Sequence, residues 1–161
     1  MMPSEAEITA RFWKALESDM FVMLGIDGVD DGRAQPMTAQ LLNDDGYVYF
    51  FTTKDNGLVE NMHRSPRAIA TFVSKGHDLF ATINGNLEEE QDRAKIDQLW
   101  NPHIAAWYPG GKDDPSLQLI RLDPEAAQIW LNENNVLAGI KALLGRDPKQ
   151  DSRDKVAEVA L

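Results

Sequence analysis

The chain contains no cysteine, few basic residues for its many acids and no long apolar run. Each absence removes a class of function. Without cysteine there is no disulfide framework, thiolate zinc site, iron–sulfur cluster or cysteine nucleophile. Sixteen Lys and Arg against 26 Asp and Glu give a formal net charge of −10, a field that opposes both phosphate contacts with nucleic acid and adsorption to anionic membranes. No stretch approaches the ~18 uninterrupted apolar residues of a spanning helix, and Met1 to Glu7 is acidic where a secretory leader is basic. The expectation is a cytoplasmic protein with no nucleic-acid or membrane partner. A Gly-x-Ser-x-Gly elbow, a Walker loop and a Gly-x-Gly-x-x-Gly turn are also missing, so hydrolase, nucleotidase and Rossmann dehydrogenase lack their local signals. His63, His77 and His103 stand alone in sequence, outside any short ligand spacing, and no metal site is expected.

What is present suits one globular domain, since 161 residues with 43% hydrophobic content can build a substantial core. Ser4 and Glu7 fit a helix-opening capping box, followed by an apolar face of Ile8, Phe12, Ala15 and Leu16. Met20–Ile26, Ala34–Leu42 and Tyr47–Thr53 read as three strands in a meander, separated by Asp-Gly and Asn-Asp-Asp-Gly turns. A short helix then runs from Asn56 to Ser65-Pro66, where the residue before proline leaves the helical region. Arg67–Ser74 and Leu79–Leu87 read as strands, with a bulge or close approach at Gly85. Asp92–Trp100 is helical, Leu117–Leu122 and Ala126–Leu131 are further strands, and Val136–Leu144 is an amphipathic helix ended by Gly145. Short strands outnumber any βαβ units, which favours an antiparallel barrel.

Two features carry chemistry. Phe50 to Gly57 (FFTTKDNG) places two hydroxyls, an ammonium and an amide where a strand gives way to a helix. That set suits an anion, and it equally suits a capped turn with an incidental lysine. Trp100, Trp107, Tyr108 and Trp130 can pack on a flat heterocycle, build a subunit interface or fill a core, with Trp107-Tyr108 beside a Pro-Gly-Gly loop. Glu88-Glu89-Glu90 reads as a solvated strand end, because adjacent side chains in a strand point to opposite faces. Asp113-Asp114-Pro115 reads as a turn.

The element order, Gln35-Pro36-Met37, the FFTTKDN junction, Asn61 to Pro66 and the extended segment Leu99 to Pro115 (LWNPHIAAWYPGGKDDP) together resemble a known family. They are similar to the bacterial general stress proteins of the pyridoxamine 5'-phosphate oxidase-like, FMN-binding split-barrel superfamily, over about residues 5–145. The resemblance implies a mainly β fold, a six-stranded antiparallel split barrel with helices, in a domain of residues 1–145 followed by a tail, 146–161, that is helical or disordered. It implies a cytoplasmic homodimer holding FMN or FAD in clefts at the subunit interface, with low-specificity flavin oxidoreductase activity. Gln35, Pro36 and Met37 would line the flavin strand, Thr52, Thr53, Lys54 and Asn56 its phosphate end, and Trp107 would approach the ring. Gln35, Gly57 and Leu58 stand where the family carries basic residues, so the alternative is a split-barrel binding or structural protein whose flavin phosphate site has decayed. No catalytic side chain is nominated.

Overall fold

The structure, a computed structural model, describes residues 3–132 and 156–161. Helix α1 (Glu5–Asp19) opens at Ser4, whose hydroxyl accepts from the Glu7 amide at 3.2 Å. It buries Ile8, Phe12 and Leu16, one stripe at helical spacing, and Phe12 meets Phe72 edge-on at 6.4 Å. Strands β1 (Phe21–Ile26) and β2 (Gln35–Thr38) form the expected hairpin. Strand β3 (Val48–Thr53) leads into α2 (Gly57–Met62), which is followed by β4 (Arg67–Val73) and the long β5 (Leu79–Glu90). Helices α3 (Arg93–Leu99) and α4 (Pro102–Ala105) form an excursion before β6 (Leu117–Leu131), and β7 (Val156–Ala160) ends the chain.

All pairings are antiparallel, in the order β2-β1-β4-β5-β6-β3. The three-strand meander is thus corrected: β3 pairs along its length with β6, and the β2 side reaches it through a single bridge. In that bridge Gln40 N donates to Tyr49 O at 2.8 Å and Tyr49 N to Gln40 O at 2.9 Å, which nearly closes the six strands into the expected split barrel. The long apolar β6 offers β3 more hydrogen-bonding edge than the short β2 can.

The final two strands expected between Leu117 and Leu131 are one strand. The register shifts between Asn84 and Gly85, opposite Pro124, so the strand bends there without ending. A Cβ on Gly85 would collide with the Asp123 carbonyl and lie 2.9 Å from Pro124 Cα, so this close approach requires glycine. Beyond the bulge, the edge of β6 that β3 no longer covers pairs with β7 across Ala126–Trp130. Residues 156–160 are therefore a strand and not the helical or disordered tail anticipated; an exposed ladder edge recruits them and Val159 is buried. The amphipathic helix expected over Val136–Leu144 lies outside the described residues.

The barrel interior joins α1 and the Leu58, Val59 and Met62 face of α2 to inward residues of β1, β3, β4, β5 and β6. Strand β3 is covered on both sides. Val48 and Phe50 face the interior, while Tyr49 packs with Leu99 and Leu119 under the excursion, and Phe51 packs against Trp100. Among the described residues no helix is long and apolar enough to cross a membrane.

Candidate functional site

The end of β3 and the start of α2 gather most of the residues the sequence singles out. Asn56 caps α2, its Oδ1 accepting from the Leu58 amide at 2.8 Å. The same side chain meets Gln35 at the start of β2 in a reciprocal amide pair: Gln35 Nε2 donates to Asn56 Oδ1 and Asn56 Nδ2 donates to Gln35 Oε1, both at 3.0 Å. Each amide retains one N–H after that pairing. Two positions 21 residues apart are thereby locked into one polar surface.

The neighbouring positions divide. Met37 is buried in the barrel interior and Pro36 is exposed. Thr52 is buried, paired with Gln118 across the β3–β6 ladder, and Thr53 is half-buried. The Lys54 backbone amide donates to Ser116 O at 2.9 Å, while its exposed side chain has no ion pair among the described residues. Leu58 points into the core at 2% exposure, and its side chain forms no part of a phosphate surface. Gly57 is exposed, and a Cβ built on it meets nothing within 4 Å, so open space adjoins the Gln35–Asn56 pair.

Trp107 does not join these residues within the chain; it is 82% exposed. Its neighbour Tyr108 turns inward instead, donating its hydroxyl to Thr52 O at 2.9 Å and packing with Ile104 and Leu117. Burial, with the Asp114 charge adding to it, pushes the Tyr108 phenol up to about 12. The aromatic series Phe51, Trp100 and Tyr108, with centroids 5.9 and 6.2 Å apart, seats the excursion on β3. Asp114 serves the turn: its carboxylate accepts from the Ser116 amide and hydroxyl and from the Gly110 amide, which together hold its carboxyl below the ordinary aspartate value.

Two polar groupings escaped the sequence reading. Glu88 and Glu90 lie on one strand face and converge on Arg121, at 2.6 and 3.0 Å. The Glu90 side chain, only 9% exposed, also takes Lys95 at 3.3 Å, and Arg121 lies over the Tyr47 ring at 4.6 Å. The solvated strand end is accordingly corrected for Glu90, since a twelve-residue strand carries it beneath α3. Burial alone would raise the Glu90 carboxyl, but the Asp92 amide, the Lys95 hydrogen bond and the Lys95 and Arg121 charges hold it below the ordinary value. Second, His63 Nε2 and Glu89 Oε1 stand 2.9 Å apart at a cleft of about 460 Å³ that Lys54 also lines. The i, i+2 spacing of Glu88 and Glu90 could have revealed the first grouping; no local signal links His63 to Glu89.

The donors at the junction fit a phosphate-bearing group: two amide N–H bonds, the Thr53 hydroxyl, a cation at Lys54 and open space at Gly57. They form a mostly neutral set, because Leu58 turns its side chain inward and the exposed position beside it is glycine.

Residues 7–149 match the family described as pyridoxamine 5'-phosphate oxidase like. A general stress FMN/FAD binding protein from Xanthomonas citri is 57% identical, with a TM-score of 0.76 over 81% of this chain and 92% of its own. General stress protein 26 from a Jannaschia species is 30% identical, with a TM-score of 0.80 over 98% of this chain and 100% of its own. Protein bli-3 of Neurospora crassa is 21% identical over 101 residues, and the match spans only 48% of its length.

Proposed function

Because the chain belongs to the pyridoxamine 5'-phosphate oxidase-like family, we propose that it is a cytoplasmic flavin-binding protein, a homodimer that holds FMN or FAD where β2, β3 and α2 meet. The observation that carries this reading is the Gln35–Asn56 amide pair beside Thr53, Lys54 and the open space at Gly57. The X. citri relative described as an FMN/FAD binding protein supports it. The remaining N–H of each amide and the Thr53 hydroxyl would hold phosphate oxygens, with the ammonium of Lys54 supplying positive field. Met37 shapes the strand from inside the barrel, and Thr52 fixes the position of Tyr108. When bound, the flavin supplies electron transfer by hydride or single-electron steps. The activity that goes with this reading is low-specificity flavin oxidoreduction.

The dimer rests on apolar surface that one chain leaves uncovered. Phe21, Met23 and Val73 are exposed on β1 and β4, and Trp107 is exposed on the excursion. A second copy would remove this surface from water and let Trp107 reach the flavin of the partner's site. Light scattering is expected to give twice the chain mass at micromolar concentration.

One observation favours a second reading. The Gln35 amide is already engaged by Asn56, and Leu58 has left the surface, so Lys54 stands with neutral donors where a tight phosphate grip uses several cations. A binding or structural protein with a decayed phosphate site follows. The visible spectrum of gently purified protein, followed by titration with FMN, FAD and riboflavin, separates the two. Flavin absorbance or micromolar binding supports the first; a colourless protein with no thermal shift from any flavin refutes it. Bleaching of the bound flavin by a nicotinamide donor tests the oxidoreductase half.

A further inference from the structure

The cleft between α2, the end of β5, α3 and the start of β6 has a wall chemistry of which the flavin reading uses only Lys54. Val59, Ile96 and Leu117 give it an apolar lining, and its polar groups are Lys54, His63, Glu89, Glu90, Gln91 and Gln118. Glu89 accepts on both oxygens, from His63 at 2.9 Å and from Gln91 at 3.4 Å. A carboxylate only accepts, so a neutral His63 carries its proton on Nε2 and presents Nδ1 as an acceptor with no partner among the described residues. Gln118, 8% exposed, donates its Nε2 to Leu119 O at 2.8 Å, which leaves Oε1 as a second acceptor. Glu90 on the same wall is neutralised by Lys95 and Arg121. The cleft therefore combines the Lys54 cation, the Glu89 carboxylate engaged by His63 and Gln91, two free acceptors and an apolar lining.

From this combination we infer that the cleft binds a small aromatic carboxylate bearing a phenolic hydroxyl. The ring lies on the apolar lining, the carboxylate faces Lys54, and the hydroxyl donates to His63 Nδ1. Gln118 Oε1 lies on the same wall as a second acceptor. Glu89 is a positioning residue that fixes the imidazole tautomer. The cleft volume of about 460 Å³ lies in the usual range of small-molecule sites. The inference shares Lys54 with the flavin reading, while His63, Glu89, Gln118 and the apolar lining belong to this wall alone.

The test titrates the purified chain at mildly alkaline pH with para-hydroxybenzoate, benzoate and para-hydroxybenzyl alcohol, with and without saturating FMN. The hydroxybenzoate is expected to bind best. Lys54→Met should weaken both carboxylates about tenfold and leave the alcohol unchanged. His63→Phe should bring the hydroxybenzoate down about three- to tenfold, to the level of benzoate, without changing benzoate itself. Imidazole nitrogen NMR should show the Nε2-protonated tautomer in the native chain and a mixed tautomer in Glu89→Gln, a change that a merely structural role for Glu89 would not produce. Equal loss of benzoate and hydroxybenzoate in His63→Phe, or displacement of the alcohol by FMN, overturns the inference. Probe binding by a chain that never takes up FMN would refute the flavin reading and leave this one standing.

Discussion

Gly57→Lys restores a cation at the one junction position where the structure has room for it. Gly57 opens α2 and is exposed, and a Cβ there meets nothing within 4 Å. The change also replaces the second-worst helix former by a good one, a gain of roughly 0.7 kcal/mol at most. A lysine in solvent facing a phosphate lies between an exposed ion pair, about 0.2–1 kcal/mol, and a charge-assisted hydrogen bond, about 1.5–3 kcal/mol. Taking about 1–2 kcal/mol, FMN should bind roughly 5- to 30-fold tighter, while riboflavin, which has no phosphate, stays within about twofold. Leu58→Lys is the contrasting variant. Leu58 is 2% exposed in the barrel core, so lysine there forfeits about 1.5–3 kcal/mol of apolar burial and adds an unpartnered charge. That loss is a large fraction of the stability of a marginal domain, about 5–15 kcal/mol. Parallel calorimetric titrations and thermal melts read both variants. Equal tightening of FMN and riboflavin by Gly57→Lys, or a well-folded Leu58→Lys with stronger FMN binding, would refute the placement of the phosphate beside Gly57.

Three further outcomes follow from the packing around the site. Tyr108→Phe leaves the Thr52 carbonyl without its buried donor and should cost about 1–3 kcal/mol in denaturant unfolding. In the native chain the Tyr108 phenol is raised to about 12, so the stability it contributes is complete below its unfolded pKa of about 10 and is lost as pH rises through the folded value; alkaline melts of Tyr108→Phe should lack that step. Glu90→Gln removes the shared partner of Arg121 and Lys95 and should cost about 2–3 kcal/mol. Since the native Glu90 carboxyl is held low, its contribution is present above about pH 4.3 and disappears as pH falls through the depressed value, so acid melts of native and variant chains should converge. Gly85→Ala drives a methyl into the Asp123 carbonyl and should cost more than about 2 kcal/mol, read as a fall in Tm.

Much of this was legible locally. Ser4 announces α1, the turn residues announce the β1–β2 hairpin, Asn56 announces α2, Gly85 marks the bulge and Asp114 marks its turn. These signals act over one to five residues, where backbone geometry and side-chain capping decide the outcome. The family-level resemblance added the split barrel, which the strand order bears out. Three readings failed for the same physical reason, that strand pairing is non-local. Strand β3 chose β6, the last residues became a strand on a vacant ladder edge, and Glu90 was carried under α3.

The amino-acid sequence by itself determined most of the strands and helices from Ser4 to Leu99, and that hydroxyls, an amide and a lysine follow one another at one junction, because periodicity, caps and turn chemistry are written in consecutive residues. Tertiary structure alone decided which of those residues face one another. The Gln35–Asn56 pair spans 21 positions and the His63–Glu89 pair 26, while Leu58 turned inward and Trp107 outward. Such choices depend on the competition of whole faces for burial, and no single stretch of chain contains that information.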